Sequence, residues 1–231
     1  MDIPFRENLL RLLRTALSFI AFGALAGSAL GLVVWEVKAT GNIVEGGVVE
    51  TVQFCLLVLA AASYFLLARR RPGLSRAFAL AGLAIVDMAF RELDGLLDER
   101  LFHGAWKLFD GAVAVVFLAV ALRGFRRTVA QAAEFVGTSH FALLAAGIVL
   151  AVVVAQILGF KGLWHAVFDL EPWRTLRDAL HDSVEMDVPR HVKNLVEEAL
   201  ELSSYALVLA SAVAPPLAGS KVGRDDVPSK P

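Results

Sequence analysis

Ionisable side chains recur at helical spacing in four segments of the chain. Residues three, four and seven positions apart lie on one face of an α-helix, so each set forms a polar stripe. The stripes comprise Glu50 and Gln53; Asp87, Arg91 and Asp94, with Glu92 beside them; His103, Lys107 and Asp110; and Glu197, Glu198 and Glu201, followed by Tyr205. Carboxylates gathered from several helices bind a cation or pass protons, and a neighbouring Arg or Lys fixes their geometry or holds an anion.

A divalent metal is one hypothesis for a cofactor. Glu and His side chains that project inward from several helices form metal centres in bundles, and His103, Glu197 and Glu201 are the candidate ligands. Mixed oxygen and imidazole ligands suit zinc, iron or manganese, which would activate water for an intramembrane hydrolysis. Against this, the chain has no Glu-x-x-His or His-x-x-x-His pair, the usual local signature of such a centre.

Two further hypotheses use the same stripes. Carboxylate and histidine chains inside a bundle relay protons, which favours a proton- or ion-coupled transporter or channel. Few polar residues lie outside the stripes within the apolar runs, which argues against a continuous path. Alternatively, Arg91 and Lys107 only neutralise nearby carboxylates and hold the helices of a structural or assembly subunit together.

The segments that carry the stripes are long apolar runs. The chain is 57% hydrophobic with a mean hydropathy of +0.64, whereas soluble domains are about 45–50% apolar. About 20 apolar residues cross a bilayer as a helix, and the short alternating segments of a barrel are absent. We predict one all-α transmembrane domain over residues 1–216, with about six spans near 15–35, 48–68, 76–94, 105–123, 140–160 and 195–216.

Basic residues recur in every second connection between these spans. They are Arg6, Arg11 and Arg14; Arg69, Arg70, Arg71 and Arg76; Arg123, Arg126 and Arg127; and Lys221, Arg224 and Lys230. Connections rich in Lys and Arg stay in the cytoplasm, so both termini should be cytoplasmic in a bacterial-type inner membrane. The polar stripes then lie at the outer side, and residues 217–231 form a disordered cytoplasmic tail.

Two other segments have patterns typical of membrane proteins. Gly23, Gly27 and Gly31 repeat at four-residue spacing, which allows close helix packing within the monomer or in a homo-oligomer. Residues 172–184 place Trp173 and Leu176 opposite charged side chains, which predicts a short interfacial amphipathic helix in the last outer loop.

Net charge and motifs narrow the partners. The formal net charge is −1 and the chain has no dense basic face, which argues against a nucleic-acid partner. Phosphate-binding glycine loops and Gly-x-Ser-x-Gly elbows are absent, and no enzymatic reaction is assigned. We expect a protein embedded in a lipid bilayer whose second, third, fourth and sixth spans line an outward-facing pocket for a small cation, a metal or a polar headgroup.

Overall fold

A computed structural model describes residues 3–41, 47–184 and 187–213, and within these ranges the chain is helical without a strand. The helices are α1 (Ile3–Thr40), α2 (Val48–Arg70), α3 (Ser75–Arg91), α4 (Asp94–Arg100), α5 (Trp106–Leu122), α6 (Phe125–Val136), α7 (Ser139–Val149), α8 (Gln156–Leu158), α9 (Lys161–Phe168), α10 (Trp173–Val184) and α11 (Val188–Val213). A short 3-10 turn, Pro72–Leu74, leads into α3, and a π-helical segment, Leu150–Ala155, joins α7 to α8.

Three helical stretches in the described part of the chain are long and apolar enough to cross a membrane. They are Val48–Arg70, Pro72–Arg91 and Ser139–Leu158, which match the predicted second, third and fifth spans. The pair α5 and α6 becomes a fourth candidate if it is counted as one span bent by 99°. The all-helical membrane class is therefore confirmed at the level of three to four candidate spans.

The remaining predicted segments fall on helices or outside the described residues. The first predicted span lies inside α1, and residues 195–213 of the sixth lie inside α11. Residues 214–216 and the predicted tail, 217–231, are outside the described residues. Residues 172–184, predicted as an amphipathic helix, are covered from Trp173 by α10.

Local sequence explains one sharp bend and one helix start. Gly124 has a φ of 80°, a left-handed conformation that glycine adopts without steric cost, and the sharp bend between α5 and α6 lies there. Thr138 precedes α7, and its hydroxyl accepts a hydrogen bond from the Phe141 amide at 3.2 Å, which satisfies one free donor of the first turn.

The main core lies among α2, α3, α7 and α11. Its largest fully buried side chains include Leu57, Tyr64, Phe78, Ile85 and Val208. A smaller apolar cluster joins α1 to α2 and α11. In contrast, α5 packs against α3, α4 and α6. This arrangement decides which polar stripes meet, because α2, α3, α7 and α11 share one interior while α5 packs on α3.

Close helix packing in the structure uses different glycines from those predicted. A Cβ atom added at Gly147 would lie 2.8 Å from Cγ2 of Val208 and 3.0 Å from the Ser204 carbonyl oxygen, so α7 and α11 approach closely there. At Gly23, Gly27 and Gly31, an added Cβ would meet nothing within 4 Å among the described atoms. These three glycines therefore do not mediate packing within the described monomer, because their face of α1 points away from the bundle. Their role in a homo-oligomer stays a prediction.

Candidate functional site

Polar side chains from four parts of the bundle meet at one end of the main core. We call this group the carboxylate pocket, and it consists of Glu50, Gln53, Arg91, Glu92, Gln156, Glu198, Glu201 and Tyr205. Glu50 and Gln53 stand in the first turns of α2, and Arg91 and Glu92 at the end of α3. Gln156 opens α8, and the other members lie on α11.

Among the described residues, one hydrogen bond joins α11 to α2 at this pocket and another joins it to the end of α3. Nε2 of Gln53 donates to Oε2 of Glu198 at 2.9 Å. The Tyr205 hydroxyl donates to Oε1 of Glu92 at 2.7 Å. Because Gln53 lies on α2 and Glu92 follows α3, the two bonds tie α11 to both helices.

The amide of Gln53 is only half satisfied. Its side chain is fully buried, and among the described atoms Oε1 has no hydrogen-bond partner. Since Nε2 donates to Glu198, Oε1 is left as a carbonyl acceptor facing the interior. Buried carbonyl oxygens are normally paired, so this atom has the chemistry to accept a bond from water or to coordinate a cation.

Four carboxylates in the pocket lie close enough to repel one another. Glu50 interacts electrostatically with Glu92 and Glu198. Glu201 interacts with the same two glutamates, and the basic side chain of Arg91 acts on Glu92 and Glu201. Crowded carboxylates in a low-dielectric site are stable only if protons or cations reduce their negative charge.

A small cavity lies within the carboxylate pocket. Its volume is about 50 Å³, and its polar lining is Arg91, Glu92, Gln156, Glu201 and Tyr205. This volume holds about two water molecules. Nε2 of Gln156 donates to Oε1 of Glu201 at 3.4 Å on the exposed side of the cavity.

The apolar wall of the cavity includes the π-helical segment. Ala151 and Val152 line the cavity, together with Met88 from α3. Ala151 and Val152 belong to Leu150–Ala155, where the helix is wider than an α-helix. Such segments are rare and are often found at functional sites, because the extra residue per turn re-aims neighbouring side chains.

Among the described residues of the stripe predicted on the fourth span, only Asp110 interacts with a member of the carboxylate pocket, Arg91. Asp110 on α5 interacts electrostatically with Asp87 and Arg91 on α3, and its Oδ1 is buried with no hydrogen-bond partner among the described atoms. Lys107 is exposed, with its Nζ 5.4 Å from the ring centroid of Trp106. The segment predicted as the fifth span, rather than the fourth, therefore lines the carboxylate pocket. The reason is that α5 packs on α3, whereas α7 and the π-helix pack on α11.

The predicted metal ligands are not assembled. Nδ1 of His103 lies 2.8 Å from Oδ2 of Asp98, and its side chain is 98% exposed. Glu197 Oε2 lies 2.5 Å from Nζ of Lys193. Within the described ranges, no group of three or more His, Cys, Asp or Glu side chains could hold a metal ion. His103 therefore does not combine with Glu197 and Glu201, because it precedes α5, outside the α2, α3 and α11 interior.

Asp94 lies at the margin of the carboxylate pocket. Its Oδ1 accepts a hydrogen bond from the Gly95 amide at 2.5 Å in an exposed position, where α4 begins. It interacts electrostatically with Glu92. Its hydrogen bond stabilises the start of a short helix, and its charge adds to the negative potential at this end of the bundle.

One member of the carboxylate pocket and one residue that supports it were less evident in the sequence than the stripes. Gln156 is a lone amide within a long apolar run. A single polar residue in such a run is the sequence feature that indicates a polar contact inside the bundle. Glu36 is 2% exposed, and its Oε2 accepts a hydrogen bond from the Val49 amide at 2.7 Å. Glu36 thus stabilises the first turn of α2, from which Glu50 and Gln53 reach the pocket.

Comparison with known proteins found no matching family model, no matching curated protein and no matching solved structure.

Proposed function

We propose that this chain is a multi-pass membrane protein that binds a small cation in the carboxylate pocket. The cation is either a proton or a monovalent metal ion. The observation that carries the proposal is Oε1 of Gln53, which has no hydrogen-bond partner among the described atoms and lies beside the crowded glutamates Glu50 and Glu198. A carbonyl acceptor and carboxylate oxygens are the ligands that hard cations and protons require.

The size and polar lining of the cavity favour a small ligand. A cavity of about 50 Å³ is too small for a lipid headgroup and fits an ion with one water molecule or a protonated water. Its negative groups outnumber the nearby Arg91. The geometry therefore supports a small cation over the polar headgroup expected as an alternative from the sequence.

The membrane arrangement belongs to the same proposal. We take α1, α2, α3, α5, α7 to α8, and α11 as about six spans of a bacterial-type inner membrane. The alternation of basic connections supports this count, with both termini in the cytoplasm and the carboxylate pocket on the outer side. The exposed side chains of Trp173 and Leu176 support an interfacial position for α10.

Infrared difference spectroscopy tests cation binding at these carboxylates. Protein in lipid nanodiscs is titrated with acid and, separately, with NaCl or KCl, while the carboxylic acid C=O band is recorded. We expect acid to produce a band that Glu201→Gln and Glu198→Gln each reduce. If a monovalent metal ion is the ligand, NaCl or KCl will suppress that band at constant pH, and if a proton is the ligand neither salt will.

Glu99→Gln is the matched control, because Glu99 is an exposed carboxylate on α4. Its spectrum should keep the band that the pocket variants lose. If Glu198→Gln and Glu201→Gln titrate like the parent protein, the carboxylates bind neither protons nor cations and the proposal fails.

A further inference from the structure

A second buried polar group lies at the opposite end of the main core. We call it the histidine pocket, and it consists of Tyr64, Phe78, Phe135, His140 and Ser211. The Tyr64 hydroxyl lies 2.8 Å from Oγ of Ser211. Nδ1 of His140 lies 2.7 Å from the Ser211 carbonyl oxygen. The carboxylate pocket uses none of these residues.

The hydrogen bonds define the form of the imidazole. A carbonyl oxygen only accepts, so Nδ1 of His140 carries the proton that binds Ser211. In the neutral ring, Nε2 is then a lone-pair acceptor. His140 is 1% exposed, and Nε2 has no hydrogen-bond partner among the described atoms. A basic ring nitrogen is therefore buried without a hydrogen-bond partner in the part of the chain that the structure describes.

The surroundings of His140 hold this ring in place. The ring of Phe78 packs against it edge-on, with centroids 5.6 Å apart and an interplanar angle of 88°. Tyr64 is the titratable side chain that α2 brings to the pocket, and Arg71, which follows α2, interacts electrostatically with the imidazole. Phe78 and Phe135 provide the aromatic contacts from α3 and α6.

Three of the helical stretches that build the two pockets run from one pocket to the other. On α2, the buried side chains run from Gln53 through Leu57 to Tyr64. From α7 into the π-helix they run from His140 through Leu144 to Ala151. On α11, Tyr205, Val208 and Ser211 are buried in one continuous stretch. Each stretch contributes to the carboxylate pocket at one end and to the histidine pocket at the other.

The apolar interval between the two pockets is shortest along α11, whereas eleven residues, about 16 Å, separate the two ends on α2 and on α7 with the π-helix. Tyr205 and Ser211 are six residues apart on α11, which is about 9 Å along the helix axis. The buried side chains of Leu57, Leu144 and Val208 lie between the two ends of these stretches, one on each stretch, and belong to the main core. We call these three residues the apolar barrier.

We propose that Nε2 of His140 accepts a proton and that the histidine pocket is the second end of a transmembrane proton path starting at the carboxylate pocket. The proposal rests on the proposed function. A carboxylic acid such as Glu201 releases its proton to water, and water carries it past the apolar barrier as hydronium. An N–H bond forms at Nε2 to give imidazolium, which then releases that proton to water at the far end and returns to neutral imidazole.

Proton flux into liposomes tests the path. Protein is reconstituted with a pH-sensitive dye inside, and a potassium gradient with valinomycin sets the membrane potential. We expect flux above the protein-free rate, loss of that excess in His140→Gln and in Glu201→Gln, and a several-fold increase in Val208→Ser, because a hydroxyl recruits water into the barrier. His103→Gln is the matched control, and its flux should equal that of the parent, since His103 is 98% exposed.

Nitrogen-15 NMR of the same protein observes His140 directly. The chain has five histidines, and replacing the other four with Gln leaves His140 as the reporter. We expect an unprotonated Nε2 signal at neutral pH that changes to a protonated signal on acidification. This measurement uses the native His140 and remains decisive even if His140→Gln fails to fold.

Failure of the path is distinguishable from failure of the carboxylate pocket. If the infrared band of Glu201 titrates but His140→Gln keeps the full flux, or the parent has no flux, the path is overturned while cation binding stands. A His140 Nε2 that never protonates also overturns it. If the infrared band of the carboxylate pocket is itself absent, the proposed function fails, and the path that rests on it fails with it.

Discussion

Gln53 on α2 and Glu198 on α11 are 145 positions apart in the chain, yet Nε2 of the amide lies 2.9 Å from the carboxylate oxygen. The bond joins the two helices at the point where the carboxylate pocket begins. It also orients Gln53 so that its Oε1 is left without a partner among the described atoms. One side chain therefore provides both a structural contact and an open acceptor.

Gln53→Leu should destabilise the bundle. The variant removes a buried donor from Glu198, and a hydrogen bond of this kind contributes about 1–3 kcal/mol to the free energy of unfolding. Gln156→Leu is the matched control, because its bond to Glu201 is longer, 3.4 Å, and exposed. Chemical unfolding in detergent micelles measures both, and equal losses in the two variants would contradict the role given to Gln53.

Gly147→Ala should also lower stability. The added Cβ would lie 2.8 Å from Cγ2 of Val208 and 3.0 Å from a backbone oxygen, so α7 and α11 must separate. Overpacking of this size costs about 1–3 kcal/mol. Thermal unfolding of the purified variant measures the loss.

Gly27→Ala provides the contrast for the same measurement. Its added Cβ meets nothing within 4 Å among the described atoms, so stability should stay equal or rise by up to about 1 kcal/mol from helix propensity. A loss as large as that of Gly147→Ala would show that another copy of the chain covers this face of α1.

Glu36→Ala should loosen the start of α2. Oε2 of Glu36 accepts from the Val49 amide, and loss of such a contact at a helix N-terminus costs about 0.5–2 kcal/mol. Hydrogen exchange should become faster at the Val49 amide and unchanged in the middle of α2. Glu99→Ala, an exposed carboxylate on α4, is the control, and uniform faster exchange across the protein would point to global destabilisation instead.

The orientation of the bundle can be measured by cysteine labelling. The chain has one cysteine, Cys55, which is exposed, so Cys55→Ser provides the background. Asp169→Cys, at the end of α9, should react with an impermeant maleimide added to intact cells. Arg70→Cys, at the basic end of α2, should react only after permeabilisation. The opposite result at both positions would invert the proposed topology.

Several features of this protein were readable from residue order alone. Apolar runs of span length predicted the helical membrane class, because a helix satisfies its own backbone hydrogen bonds in lipid. The spacing of Glu198, Glu201 and Tyr205 placed them on one face of a helix before any tertiary contact was known, since helical periodicity is a local property.

The tertiary structure alone decided which faces meet. By their spacing, the stripes on the predicted second, third, fourth and sixth spans were equivalent. In the structure α5 packs on α3, so Lys107 and Asp110 lie outside the carboxylate pocket. Gln156 contributes to the pocket instead. The contact of His140 with Ser211 was equally hidden, because the partners are 71 positions apart and share no local pattern. Local spacing determines the face of each helix that is polar, whereas the choice of neighbour depends on how all helices bury their apolar surfaces together.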